Sequence, residues 1–228
     1  MKERTRMFCY QCEQTAHGTG CVTKGTCGKL PATAAAQDEL TYEVMRLATA
    51  IAATGAEPTT DQVVLIMEGL FTTVTNVSFG AENSAELAAR VEAARLAIGG
   101  SAAAAALTLE AVPGPGDIFG KADVEGSCRS LIVLGLRGMA AYAHHAYVLG
   151  YRDALVEKAL VRHLAEAGKH HSVEEWLGLV HDFGMDNFAC MELLDRANTG
   201  SYGHPVPTAV GMAVEPGPFI VVTGHDLH

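Results

Sequence analysis

Residues 7–29 read MFCYQCEQTAHGTGCVTKGTCGK and hold four of the chain's six cysteines, Cys9, Cys12, Cys21 and Cys27. The spacing is Cys-x2-Cys-x8-Cys-x5-Cys. Four thiolates on so short a segment can converge on one point, because Gly18, Gly20, Gly25 and Gly28 let the backbone turn at positive φ. A close-wrapped backbone also aims N–H groups at the sulfurs and stabilises their negative charge. Three chemistries use such a set. Soft thiolates suit an iron–sulfur cluster or structural zinc. Zinc sites more often use two Cys-x2-Cys pairs, and this segment has one. Two disulfides are the third reading, but the leading residues MKERTR are polar and carry no apolar signal core.

Outward from this segment the pattern is helical. Pro31 suits a first helical position, and residues 31–54 are rich in Ala, Leu, Glu and Met up to Gly55. Thr59 with Gln62 reads as a capping box for a second helix reaching about Ser78, with Val63, Ile66, Leu70 and Val74 on one face. Asn83 with Glu86 predicts a third helix to about Leu109, and three helices with short connections predict an antiparallel bundle. VPGPGD at residues 112–117 is the clearest break. A second helical set is expected at 125–149 (strongly apolar, buried on most sides), 152–168, 173–183 after the capping box Ser172/Glu175, and 186–199. From Tyr202 four prolines exclude regular helix, and Phe219-Ile220-Val221-Val222-Thr223 reads as a buried strand leading to Gly224-His225-Asp226-Leu227-His228. One such strand cannot make a sheet alone, so it reads as the first strand of a domain whose remainder is absent.

Composition narrows the class. With 26 acidic and 16 basic residues among 228, the formal net charge is -10, which disfavours nucleic acid or anionic membrane as partners. No apolar run reaches the ~18 residues of a membrane span. The default expectation is a cytoplasmic, reducing compartment, where thiols are free or metal-bound.

The wording of the cysteine segment is similar to the amino terminus of the hybrid cluster protein (prismane, or hydroxylamine reductase) family. The resemblance continues through Thr75-Asn76-Val77, Gly135-Leu136-Arg137-Gly138-Met139, Leu193-Leu194-Asp195-Arg196 and Thr223-Gly224-His225-Asp226-Leu227. It implies an electron-transferring [4Fe–4S] cluster on Cys9, Cys12, Cys21 and Cys27, with His225 a ligand of a second, hybrid iron–sulfur–oxygen cluster. It also implies a mainly α fold: a cysteine-rich segment (1–30), two consecutive helical bundles (31–111 and 118–201), then a linker and the first strand of a truncated Rossmann-like α/β domain (202–228). The remaining hybrid-cluster ligands of the family fall beyond this sequence, so no catalytic residue is expected in the chain alone. The implied partners are an external electron donor, hydroxylamine or another small nitrogen oxide, and, for a split enzyme, a second chain carrying the α/β domains. A stand-alone [4Fe–4S] carrier or redox sensor, or a structural zinc-binding helical module, are the alternatives.

Other candidate ligands read as structural. Cys128 and Cys190 fit core packing, as buried cysteine behaves as a small hydrophobe. His144 and His145 are neighbours on a helix and point apart, which predicts one buried and one surface ring. His170 and His171 fall at a helix end and are expected in solvent.

Overall fold

Pro31 opens α1 (Pro31–Thr54), and Gly55 closes it in the left-handed conformation at φ 66°. Both boundaries agree with the sequence reading. The computed structural model describes residues 7–12, 20–74, 77–98, 123–209, 211–214 and 216–221. Five further helices follow α1: α2 (Thr60–Thr72), α3 (Ala81–Ala97), α4 (Val124–Val148), α5 (Ala154–Ala167) and α6 (Val173–Tyr202). The capping boxes Thr59/Gln62 and Ser172/Glu175 are both formed, and Asp123 and Asp153 accept first-turn N–H groups of α4 and α5. Among the described residues no helix is long and apolar enough to cross a membrane.

Helices from both sides of residues 99–122 share one hydrophobic core. α1 packs on α2, α3 and α5, and α4 packs on α2, α5 and α6. Leu40, Val44, Leu47 and Ile51 form the buried stripe of α1, and Ile132, Leu136, Met139 and Ala143 that of α4. Both helices also bury charge. Glu43 of α1 pairs with Arg46 and, at 3.2 Å, with Arg95 of α3. Arg129 of α4 pairs with Glu125 and sits 5.2 Å from the Trp176 ring.

Five expectations change. Residues 173–202 form one continuous helix, not two: an internal Gly184 costs only about 1 kcal/mol, and burying Phe183, Cys190, Leu193 and Ala197 along one seam outweighs it. α2 ends at Thr72, six residues early, because the Gln37 amide donates to the carbonyls of both Thr72 and Ser78 at 3.1 Å and holds the chain in a turn. α3 starts at Ala81 with Gly80 as its N-cap, so Asn83 lies inside the helix. The apolar α4 leaves Leu131, Tyr142 and Val148 exposed. At the carboxyl end, Phe219, Ile220 and Val221 are exposed and irregular, so a Rossmann-like strand is not shown there. Residues 222–228, with His225, lie outside the described residues, as do VPGPGD and the end expected for α3.

His163 on α5 is fully buried, with Nε2 2.7 Å from Asp186 and its ring edge-on to Phe183. Among the described residues its buried Nδ1 has no hydrogen-bond partner. Protonation would bury a second, unsatisfied N–H, so burial holds this imidazole below its ordinary pKa despite Asp186. A base depressed in the fold contributes stability above its unfolded pKa and loses it as pH falls. The urea midpoint should therefore drop from pH 7 toward pH 5, and His163→Gln should flatten that drop; an unchanged slope would refute the assignment. A second expectation concerns Gly135, where a Cβ would lie 2.5 Å from the Phe183 ring. Gly135→Ala should destabilise by about 1 kcal/mol, overpacking outweighing helix propensity, and should become stabilising in a Phe183→Leu background.

Candidate metal centre

The cysteine segment folds back on itself. Met7 N–H donates to the Val22 carbonyl at 3.2 Å and Cys9 N–H to the Cys21 carbonyl at 3.1 Å, so Cys9 and Cys21 stand side by side on antiparallel backbone. Gly20 makes this possible at φ +106°, and a Cβ there would lie 2.7 Å from the Phe8 ring. The far loop closes through Gly25 N–H to the Lys29 carbonyl and Gly28 N–H to the Gly25 carbonyl, both at 2.8 Å. Gly28 is left-handed at φ +99°. Gly25 is not, contrary to expectation; there a Cβ would be a tight fit, 3.1 Å from Cys27 Sγ. Thr26 N–H points at Cys21 Sγ at 3.4 Å. Gly18 lies outside the described residues.

Beneath the segment lies a buried polar seat made by α1 and α4. Arg137 of α4 is 2% exposed. Its Nη1 donates to the Tyr10 carbonyl at 3.4 Å and to the Gln11 carbonyl, and its Nη2 to Thr41 Oγ1 at 3.3 Å. Gln11 donates in turn to Asp38, and the fully buried Lys29 ammonium donates to Gln37. Burial lowers the Lys29 pKa, opposed by Cys9 and Cys27. Burial also brings Arg137 down to about 10, opposed by Asp38, Cys9 and Cys12. Asp38 is pushed up to about 7 by burial, against the pull of Arg137. The Cys9 thiol is raised by burial, opposed by the Gln11 backbone N–H and Lys29. Two cations and the Gln11 and Thr26 N–H groups thus lie close to the sulfurs, with the Asp38 carboxyl acting against them at Cys9.

Among the described residues none of the four cysteines is joined in a disulfide; Cys21 is buried and the others are half-buried. Among the described residues no group of three or more His, Cys, Asp or Glu side chains is already gathered as a metal site. The backbone pairs Cys9 with Cys21, and Lys29 lies within charge range of Cys9, Cys12 and Cys27. The donor chemistry fits a thiolate-bound metal group: soft sulfur ligands, N–H donors aimed at two of them, and buried positive charge.

The remaining candidates fall elsewhere. Cys190 is fully buried, with its thiol 3.4 Å from the Met139 carbonyl and pushed up to about 12 by burial. Cys128 packs half-buried against the core. His144 and His145 are not split between core and surface: both are half-buried, with rings 5.6 and 5.3 Å from the Phe71 ring. His170 is exposed as expected, but His171 is half-buried, edge-on to Trp176 at 4.8 Å. Sequence reasoning missed Lys29, Asp38 and Arg137 as site residues. The available signal was an Arg in the apolar register of α4, beside Leu136 and Ala140.

Residues 7–228 match the model of the Prismane/CO dehydrogenase family. The hydroxylamine reductase of Maridesulfovibrio salexigens is 37% identical over 97% of this chain and 44% of its own length. Those of Solidesulfovibrio magneticus and Syntrophobacter fumaroxidans are 39% and 40% identical, each over 97% of this chain and 45% of the relative. The chain therefore spans less than half the length of these curated relatives.

Gly20→Ala tests the loop geometry. Left-handed strain and the Phe8 clash together should cost about 1–3 kcal/mol, borne locally. Amide exchange at residues 7–12 should accelerate while the helical circular dichroism holds; unchanged protection would show that the turn tolerates a side chain.

Proposed function

The chain belongs to the Prismane/CO dehydrogenase family, and we propose that it is the electron-entry part of a hydroxylamine reductase of the hybrid cluster type. One observation carries this reading: Cys9, Cys12, Cys21 and Cys27 lie on a loop whose backbone hydrogen bonds, buried cations and sulfur-directed N–H groups suit a bound anionic cluster.

Cys9, Cys12, Cys21 and Cys27 are the ligands. Bound there, a [4Fe–4S] cluster supplies one-electron transfer. The chain's own residues do the rest. Gln11 and Thr26 direct N–H groups at Cys9 and Cys21. Lys29 and Arg137 offset the charge of the thiolates. The half-buried Cys9, Cys12 and Cys27 leave the loop open to an external donor, whereas the face resting on α1 and α4 is closed.

Reduction of hydroxylamine, or of another small nitrogen oxide, is assigned to the whole enzyme. The relatives named hydroxylamine reductase extend well beyond the matched region. By resemblance, His225 is a ligand of the hybrid cluster, whose other ligands belong to that further length, on the same polypeptide or on a second chain carrying α/β domains. Residues 7–228 alone would then pass electrons but not turn over hydroxylamine. The polar seat favours this reading over structural zinc, because buried cations tune a potential and a closed zinc site has none to tune.

Anaerobic purification followed by iron, sulfide and zinc analysis tests the proposal. The expected result is about four irons and four sulfides per chain, with a broad visible absorption bleached by dithionite, and loss of most iron in Cys12→Ser. Equimolar zinc without colour would overturn it. Iron well above four would mean that a second cluster assembles on this chain alone.

A further inference from the structure

We propose that Arg137 is a positioning residue for the cysteine segment: from α4 it fixes the Cys9–Cys12 turn, and with Lys29 it sets the charge against which the thiolates hold their metal group. The inference rests on the iron–sulfur reading and deepens it.

Arg137 occupies the core-facing register of α4, where an apolar side chain would be the ordinary choice. A guanidinium 2% exposed is strongly unfavourable unless its hydrogens are accepted. Two of its acceptors are the carbonyls of Tyr10 and Gln11, the two residues between Cys9 and Cys12. These contacts span 126 and 127 residues of sequence, so local structure does not require them. Their effect on the thiolates passes through one planar peptide. The Tyr10 carbonyl and the Gln11 N–H belong to the same trans unit and point in opposite directions. Holding the carbonyl against Arg137 therefore holds the Gln11 N–H on the opposite side, where it hydrogen-bonds Cys9. Thr41 anchors the other side of the fork to α1 at 3.3 Å. Lys29 supplies a second buried cation close to Cys9 and Cys27. Positive charge beside a group that gains an electron favours its reduced state.

A purely structural Arg137 would anchor α4 and nothing more. The two roles separate in the full chain reconstituted anaerobically with iron and sulfide, comparing wild type with Arg137→Gln, Arg137→Lys and Thr41→Val. Amide exchange at residues 7–12 is read by mass spectrometry, and the midpoint potential by spectroelectrochemical titration. Arg137→Gln should shift the reduction equilibrium at least tenfold toward the oxidised form, about 59 mV for one electron. Arg137→Lys retains charge without the fork, so it should keep most of the potential while exchange rises at least tenfold. Thr41→Val should give the same exchange effect in weaker form, and it decides the positioning claim if the arginine variants do not fold. Unchanged potential in Arg137→Gln, or wild-type protection of residues 7–12 in both Arg137→Lys and Thr41→Val, would overturn the proposal, even if the melting temperature falls. If wild type binds no iron, the iron–sulfur reading fails by itself, and exchange in the same variants still decides the positioning claim.

Discussion

A guanidinium buried in an apolar helix seam must have its hydrogens accepted, and around Arg137 that requirement organises the amino-terminal half of the molecule. The cysteine segment supplies carbonyls from Tyr10 and Gln11, and α1 supplies the Thr41 hydroxyl. Asp38 lies close enough to attract the charge. α1 accordingly carries two unlike faces. Leu40, Val44, Leu47 and Ile51 enter the common core, while Thr33, Gln37, Asp38 and Thr41 form a polar floor. Gln37 serves both ends of that floor, accepting from Lys29 and donating to the carbonyls that terminate α2. Altering this floor would disturb the loop and the α2–α3 connection together.

α4 plays the matching role from the other side. It carries two buried arginines, and each donates to backbone carbonyls of a distant segment. Arg137 pins the cysteine loop, and Arg129 pins the α5–α6 turn through the Lys169 carbonyl while lying over Trp176. A helix that is apolar in composition thus works as a spine joined by polar contacts at two places. These contacts are directional, so they fix the register of α4 against its neighbours where Leu and Ala packing alone would allow sliding.

Local signals were legible and long-range ones were not. Pro31 and Gly55, Thr59 with Gln62, and Ser172 with Glu175 marked helix boundaries because capping involves residues three or four apart. The early end of α2 depends on Gln37, 35 residues away in sequence, and no window on α2 could reveal it. The continuity of α6 through Gly184 was decided by burial against α4. His144 and His145 diverge on their own helix, yet both meet Phe71, because an aromatic ring on α2 is wide enough to span two adjacent positions. At the site, the cysteines announced themselves by spacing, whereas Lys29, Asp38 and Arg137 became site residues only once α1 and α4 were placed beneath the loop.

The sequence separation of 126 positions from Gln11 to Arg137 also imposes an order in time. The thiols leave the ribosome early, and the helix that pins their loop leaves late. At roughly 5–20 residues per second, the interval is about 6–25 s. During it the nascent segment has its glycine turns and α1 but not the α4 half of its seat, so its sulfurs are more open to oxidants and to stray metal ions. On the proposed iron–sulfur reading, the machinery that loads this loop must either wait for α4 or shield the thiols until it arrives.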